Sequence, residues 1–341
     1  MKKYYRRIFF TNIPLKGKFK YKDVFQIFPC ELEGTPKPKH FEHYPNIIEY
    51  WMVDEEVVEI ENPLGDDFLD LPYLASQINK EQTILNLLSS FCNNLFFTYQ
   101  DMSGSWGMPI YNDTIFAELE KVTSSWCYKN YSFPGLREQL QISNFSEPIY
   151  DDLIMIKHRE YYLHLPCNDS DTMEMIYIPN SLEQILDEYF ALDIDAKQAM
   201  DNAMYHLVSA MELRNKKKTL SLICAFTALE TIIDYHYKDQ LPDKCNECGQ
   251  LKYSVSKKFI DFLLNFAGGA KGNKKQFNAY YKKRSELIHK GINLWTEKLF
   301  PNIPREKQDR DFIISTEVRQ ITKLAIANWL GTRNFKMGLD K

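Results

Sequence analysis

Arg284 and His289 stand five positions apart in the segment 280–291, which reads YYKKRSELIHKG. An RNA strand carries its own nucleophile in the 2′-OH. Cleavage therefore needs only a group that moves protons near neutral pH and a cation for the charge that develops on phosphorus. Histidine titrates in that range, and arginine is always charged and binds phosphate oxygens with two parallel N–H groups. These two residue types suit metal-independent RNA cleavage.

The spacing of the two side chains predicts where each lies on a helix. Five helical residues turn through roughly 140° and rise roughly 7.5 Å, so Arg284 and His289 lie on adjoining faces. Either the Arg284 side chain sweeps round to reach His289, or each residue works with a copy from a second subunit. Gly291 is the type of residue that follows a helix end. His289 then lies in the last turn, where the helix dipole favours the charged imidazole.

Taken alone, this spacing is weak evidence for a catalytic site. Such pairs arise by chance in many helical proteins, and the simpler reading is a solvated Arg284 beside a His289 that packs or caps.

Charge distribution favours a polyanionic ligand. Residues 1–200 contain 17 Lys and Arg against 31 Asp and Glu, a net charge of −14, and residues 201–341 contain 25 against 15, a net charge of +10. The basic half holds the pair and several lysine clusters, among them Lys216–Lys218.

Several segments of the second half resemble one known family. They are residues 220–236, 245–249, 253–259 and 284–291. Together they resemble the HEPN superfamily, and most closely its Apea-like branch, over about residues 195–335. The resemblance implies an all-α bundle and a face-to-face homodimer that brings two Arg-x4-His motifs together. It also implies metal-independent endoribonuclease activity in defence and toxin systems.

The same resemblance implies roles for individual residues. Carried over by position, Arg284 and His289 are the catalytic pair. Many members have Asn, Asp or His directly after the arginine, whereas this chain has Ser285, whose hydroxyl can still donate to phosphate. Glu230 has two readings: an acid that pairs with a neighbouring Lys or Arg, or a carboxylate that orients Arg284 or His289. The RNA-binding candidates are the lysines beside the pair: Lys282, Lys283 and Lys290.

Cys245 and Cys248 form a C-x-x-C pair that is typical of half a zinc site. A structural zinc needs four ligands, and the other two would come from His236, Cys224 or Cys167, or from the same pair in a dimer mate. Free thiols in a reducing cell are the alternative. We therefore predict no cofactor for catalysis and keep a structural zinc as a candidate.

Hydrophobic periodicity predicts two domains that meet near residue 190. Residues 1–190 read as an α+β domain, and residues 195–335 read as an all-α, HEPN-like helical domain. The predicted strands are 4–10, 23–28, 47–53, 153–158, 160–165 and 173–178, and the predicted helices are 74–99, 114–125, 182–189, 199–211 and 219–235.

Composition sets the outer limits. The 341 residues, 44% of them hydrophobic, are enough for two cores. The sequence contains no uninterrupted apolar run of roughly 18 residues, so we expect no membrane partner. Seven thinly spread cysteines favour a reducing compartment, and we expect a cytoplasmic protein.

These observations favour an acidic α+β sensor domain joined to a helical ribonuclease. The nuclease would cleave cellular RNA, with tRNA as one candidate, in anti-phage defence by abortive infection. A phage-derived trigger would bind the first domain. Two other readings stay open. One is a catalytically silent HEPN module that binds nucleic acid or a partner protein, and the other is an adaptor whose helical half only dimerises.

Overall fold

A computed structural model describes residues 2–35, 43–54, 71–98, 135–147, 152–163, 175–240, 255–270, 272–298 and 304–336. The chain divides into two compact units. One comprises Met1–Leu88, Asn94–Met155 and Asp171–Asn180, and the other comprises Ser89–Asn93, Ile156–Ser170 and Ser181–Lys341. The second unit thus includes segments that precede residue 190 in the sequence.

The first unit is built on a five-stranded antiparallel sheet. Its strand order is β2-β3-β4-β1-β5, and β1 pairs with β4 along its whole length, from Lys3 opposite Met52 to Thr11 opposite Tyr44. The strand bounds are β1 Lys3–Thr11, β2 Phe19–Tyr21, β3 Phe25–Pro29, β4 Tyr44–Met52 and β5 Phe96–Phe97. Helix α1 spans Leu71–Phe91, a short helix α2 spans Leu136–Gln139, and β6 Leu153–Ile154 pairs in parallel with β7 Ile178–Pro179.

The register of β1 against β4 shows which side chains share a sheet face. Side chains alternate between faces along a strand. One face carries Tyr5 and Tyr50, whose rings stack at 5.6 Å, and α1 lies against it, because the Tyr50 hydroxyl donates to Glu81 at 3.2 Å. The other face carries Arg6 opposite Glu49.

The order of elements, a sheet first and mostly helices after it, confirms the coarse prediction of an α+β part followed by a helical part.

Glu49 is the centre of a buried polar network on that second face. Its side chain is fully buried, and its two oxygens accept hydrogen bonds from Arg6, Gln26 and the backbone and hydroxyl of Ser146 at 2.5–2.8 Å. Arg6 also donates to the carbonyl oxygen of Gln139 at 2.6 Å. This network therefore attaches the segment 135–147 to the sheet.

The second unit is helical. Helices α5 and α6 pack side by side, and the long helix α9 contacts most of the others. The bounds are α3 His158–Leu163, α4 Leu182–Phe190, α5 Ile194–Leu213, α6 Lys218–His236, α7 Val255–Phe266, α8 Asn273–Lys290, a 3-10 turn at Trp295–Glu297, and α9 Arg305–Lys336. The predicted helices at 182–189, 199–211 and 219–235 are confirmed as α4, α5 and α6.

The strand predicted at 160–165 is wrong where the structure describes it. His158–Leu163 form helix α3. The neighbouring Tyr161 and Tyr162 are both buried, which a strand with one solvated face would not allow. The Tyr162 hydroxyl donates to the carbonyl oxygen of Phe91, and Asn93 donates to the carbonyl oxygen of Tyr161. Tertiary contacts therefore override the strand preference of the aromatic residues. The helix predicted at 114–125 lies outside the described residues.

No helix in the described ranges combines the length and the apolar character needed to cross a membrane.

Replacement of Glu49 by Ala should lower the free energy of unfolding by about 3–5 kcal/mol. The change leaves a largely buried guanidinium and the Ser146 N–H without their acceptor. Urea denaturation monitored by circular dichroism measures the loss. The control is Glu31→Ala, which removes an exposed carboxylate from the same unit and should cost less than about 0.5 kcal/mol. Equal effects of the two changes would show that the network does not stabilise the sheet.

Candidate active site

Helix α8 carries the candidate pair, and its apolar stripe determines which way Arg284 points. Phe277, Tyr280 and Leu287 are buried and recur at intervals of three, then seven, which defines the core-facing side of the helix. Arg284 occupies the missing position of that stripe, four residues after Tyr280 and three before Leu287. The arginine is therefore directed at the neighbouring helix α6 and needs an acidic partner there.

Glu230 on α6 is that partner. The Nε atom of Arg284 lies 2.7 Å from Oε1 of Glu230, and Nη2 donates to Oε2 at 2.8 Å. Both side chains are mostly buried, with 15% and 19% of their surfaces exposed. The hydrogen bond that Arg284 donates to Glu230 raises the pKa of the guanidinium. Glu230 thus pairs with Arg284, a contact that fits both readings of this acid.

His289 completes the group from the last turn of α8. Its Nε2 atom lies 3.1 Å from Nη1 of Arg284, at an exposed position. A guanidinium can only donate, so Nε2 of His289 is the acceptor in this contact. Of the two arrangements predicted from the 140° offset, the structure has the one in which Arg284 reaches His289 within a single chain.

Gly291 ends the helix, as predicted. Its backbone is left-handed at φ 61°, and its N–H bonds back to the carbonyl oxygen of Glu286. A Cβ there would meet no atom within 4 Å, so the requirement for glycine comes from the backbone angle rather than from crowding. This stop keeps His289 in the last helical turn.

The contacts of Arg284 leave part of its guanidinium available. Arginine has five N–H groups. Nε and one N–H of Nη2 face Glu230, and one N–H of Nη1 points to His289. Two N–H groups remain, one on each Nη atom. Two N–H groups side by side on a guanidinium can bind two oxygens of one phosphate.

The other predicted residues divide into two groups. Lys282 and Lys290 are exposed, and Ser285 is half-buried beside Arg284. Lys283 differs, because its ammonium lies 2.6 Å from Oδ1 of Asp311, whose side chain is 3% exposed. The second oxygen of Asp311 accepts the backbone N–H of Trp295 at 2.5 Å. Lys283 thus joins α8 to α9 and to the turn after the active pair.

Two acids near the site were missed from the sequence. Asp234 lies one turn after Glu230 on α6, is exposed, and adds to the raised pKa of Arg284. Its i, i+4 spacing from Glu230 was a usable signal, since such residues share a helix face. Asp311 gave no local signal, because its partner Lys283 is 28 residues away.

Cys245 and Cys248 lie outside the described residues, so the zinc site stays a prediction. Of the candidate additional ligands, His236 accepts the indole N–H of Trp329 at Nδ1, at 3.3 Å, and Cys224 is half-buried. Within the described ranges, no three His, Cys, Asp or Glu side chains are grouped as a metal site would require.

No family model, curated protein or solved structure matches the chain.

Lys282 and Lys283, adjacent on α8, test the difference between an exposed lysine and one that is paired with a buried acid. Lys283→Met should lower the free energy of unfolding by about 2–4 kcal/mol, because it leaves the buried Asp311 carboxylate without its cation. Lys282→Met removes the same charge one position earlier from an exposed side chain, and should cost less than about 0.5 kcal/mol. Chemical denaturation of both variants gives the comparison. If the Lys283 variant is as stable as the Lys282 variant, the ion pair has no structural role.

Proposed function

We propose that this protein is a metal-independent endoribonuclease of the HEPN type, with Arg284 and His289 as its catalytic residues. The observation that carries the proposal is the joined group itself. A carboxylate holds one edge of the guanidinium, an imidazole nitrogen contacts the next, and two N–H groups are left for a phosphate. A solvated arginine beside a capping histidine would not need the mostly buried Glu230 as a partner.

The proposed reaction begins when the scissile phosphate binds the two remaining N–H groups of Arg284. Nε2 of His289 then takes the proton of the 2′-OH. The 2′ oxygen attacks phosphorus, and the bond to the 5′ oxygen breaks. The imidazolium then gives the same proton to the departing 5′ oxygen. The products are a 2′,3′-cyclic phosphate and a 5′-OH, and the histidine returns to its neutral form.

Each group has a separate energetic task. Arg284 offsets the charge that accumulates on the phosphate oxygens, a role whose loss in other enzymes costs several kcal/mol of transition-state stabilisation. The imidazolium that forms transiently lies beside this cation. Like-charge repulsion therefore favours transfer of its proton to the leaving oxygen. Glu230 is a positioning residue, because it contacts Arg284 and acts on the phosphate through it. Exposed Lys282 and Lys290 would hold flanking phosphates.

The biological context is proposed on the same basis. A nuclease that cuts cellular RNA, tRNA among the candidates, harms its own cell. We therefore propose a role in abortive infection, with a phage-derived trigger that acts on the first unit. The homodimer also stays a proposal. The angular offset between the two side chains does not require a homodimer, because Arg284 and His289 meet within one chain.

The first test concerns the chemistry. Purified protein incubated with total cellular RNA should cleave it in excess EDTA and leave 2′,3′-cyclic phosphate or 3′-phosphate ends, because the 2′-OH is the nucleophile. His289→Ala should lower the rate by about 100-fold or more. End-group analysis and gel-resolved kinetics measure both effects. Fragments with 3′-OH ends, or activity lost on chelation while the fold is intact, would contradict the mechanism. RNA binding without cleavage would favour the silent module instead.

The second test separates positioning from binding. Glu230→Gln removes the carboxylate that orients Arg284, so kcat should fall about 10- to 100-fold. KM should stay equal or decrease, because the site loses a negative charge. The control is Asp234→Asn, which makes the same charge change one turn away on α6. Its kcat should stay within about twofold of wild type. Equal effects on kcat in the two variants would mean that only charge matters at these positions.

A further inference from the structure

Three segments that are remote in sequence meet just beyond the end of the catalytic helix. Trp295 starts the 3-10 turn four residues after Gly291. The ammonium groups of Lys298 and Lys307 lie 4.0 and 4.5 Å from the centroid of its indole ring. Lys218, from the start of α6, donates to the carbonyl oxygen of Thr296 at 3.5 Å. We call Trp295, Lys218, Lys298 and Lys307 the Trp295 cluster.

The Trp295 cluster is fixed to the helices that carry the active pair. The N–H of Trp295 donates to Asp311, which also holds Lys283, the residue directly before Arg284. The preceding N–H, of Leu294, donates to the hydroxyl of Thr219 on α6 at 3.0 Å. Four residues of chain span at most about 14 Å. Trp295 therefore lies close to the helix end that bears His289, in an orientation set by hydrogen bonds.

The surface around Trp295 is cationic. Lys216, Lys217 and Lys218 are exposed at the start of α6, and Lys307 is exposed on α9. Asp311 and Glu297 are engaged internally, since Asp311 holds Lys283 and Glu297 accepts the hydroxyl of Thr219. Glu306 and Asp309, which flank Lys307 on α9, are exposed, and Asp309 lies 3.8 Å from Arg305. A polyanion that approaches the end of α8 therefore meets lysines on both sides of a half-exposed indole.

We propose that the Trp295 cluster binds an unpaired nucleotide of the RNA substrate next to the cleavage site. The base stacks on the Trp295 indole, and Lys218, Lys298 and Lys307 bind the adjoining phosphates. This inference rests on the proposed RNA cleavage at Arg284 and His289, and it defines the substrate as RNA that is single-stranded beside the cut. In a duplex the bases are stacked on one another and cannot reach an indole.

Replacement of a lysine by a nucleobase on the Trp295 indole is favourable in free energy. An exposed cation–π contact is weaker than stacking of a nucleobase on an aromatic side chain. A lysine that leaves the indole can still bind a phosphate of the arriving strand, because its stem is flexible. The contacts of Lys298 and Lys307 in the free protein thus keep the indole covered and place two ammonium groups where the backbone would pass.

Binding measurements on full-length protein test the proposal. His289→Ala is present in every sample so that RNA is not cut, and the probe is a fluorescent 12-nucleotide poly(U), alone or annealed to poly(A). Trp295→Ala should weaken single-strand binding about 10-fold, and Trp295→Phe should retain most of it. Lys298→Gln and Lys307→Gln should each reduce the slope of log affinity against log salt by about 0.7.

The matched control is Lys274→Gln, which removes the same charge from the first turn of α8, about 25 Å from its C-terminal end. It should leave single-strand affinity within about twofold and the salt slope unchanged. The duplex should bind more weakly, and Trp295→Ala should not affect it. The proposal fails if Trp295→Ala binds poly(U) like its parent. It also fails if a poly-glutamate 12-mer binds the parent as tightly as poly(U) does and loses as much affinity in Trp295→Ala.

The following outcomes distinguish failure of the Trp295 binding proposal from failure of the proposed RNA cleavage. If Trp295→Ala impairs folding, the surface lysine variants decide the matter through their salt slopes, and unchanged slopes overturn the proposal. If the wild-type protein fails to cut RNA while Trp295-dependent binding holds, the catalytic proposal fails and the binding site stands. If the wild type cuts RNA but the cluster variants bind like their parent, only the Trp295 proposal is rejected.

Discussion

The ion pair between Glu230 and Arg284 is the contact on which the candidate site depends. An arginine at a core-facing position of a helix cannot stay unpaired, because burial of an isolated charge costs more than a protein of ordinary stability can tolerate. Glu230 lies 2.7 Å from Nε of Arg284, accepts a hydrogen bond from Nη2 and so sets the plane of the group. The opposite edge and the end then face His289 and solvent, which is the orientation that phosphate binding requires.

Helix α8 distributes neighbouring side chains to different partners. Lys283 points to Asp311 on α9, and Arg284 points to Glu230 on α6, because successive residues on a helix diverge by about 100°. The ion pair of Lys283 therefore fixes the position of α8, and the ion pair of Arg284 orients the candidate residue. Gly291 then ends the helix and directs the chain into the turn that begins at Trp295. Structural support and candidate function thus share one short stretch of sequence.

Much of this arrangement could be predicted because its causes are local. The helix end at Gly291 follows from a left-handed angle that glycine adopts at low cost, and helices α4, α5 and α6 follow from apolar periodicity. The strand predicted at 160–165 failed for the opposite reason. Its aromatic residues favour a strand in isolation, but Tyr161 and Tyr162 are both buried in the helical unit, and that environment is created by distant residues.

By itself, the sequence determined which two residues are the candidate pair, which helix carries them and where that helix stops. Only the tertiary structure decided that Arg284 reaches His289 within one chain, that Lys283 is occupied by Asp311, and that Lys218 meets the turn at Trp295. The physical reason is the range of the interactions. Backbone preference and periodicity act over a few residues, whereas ion pairs between helices join positions that sequence spacing does not relate.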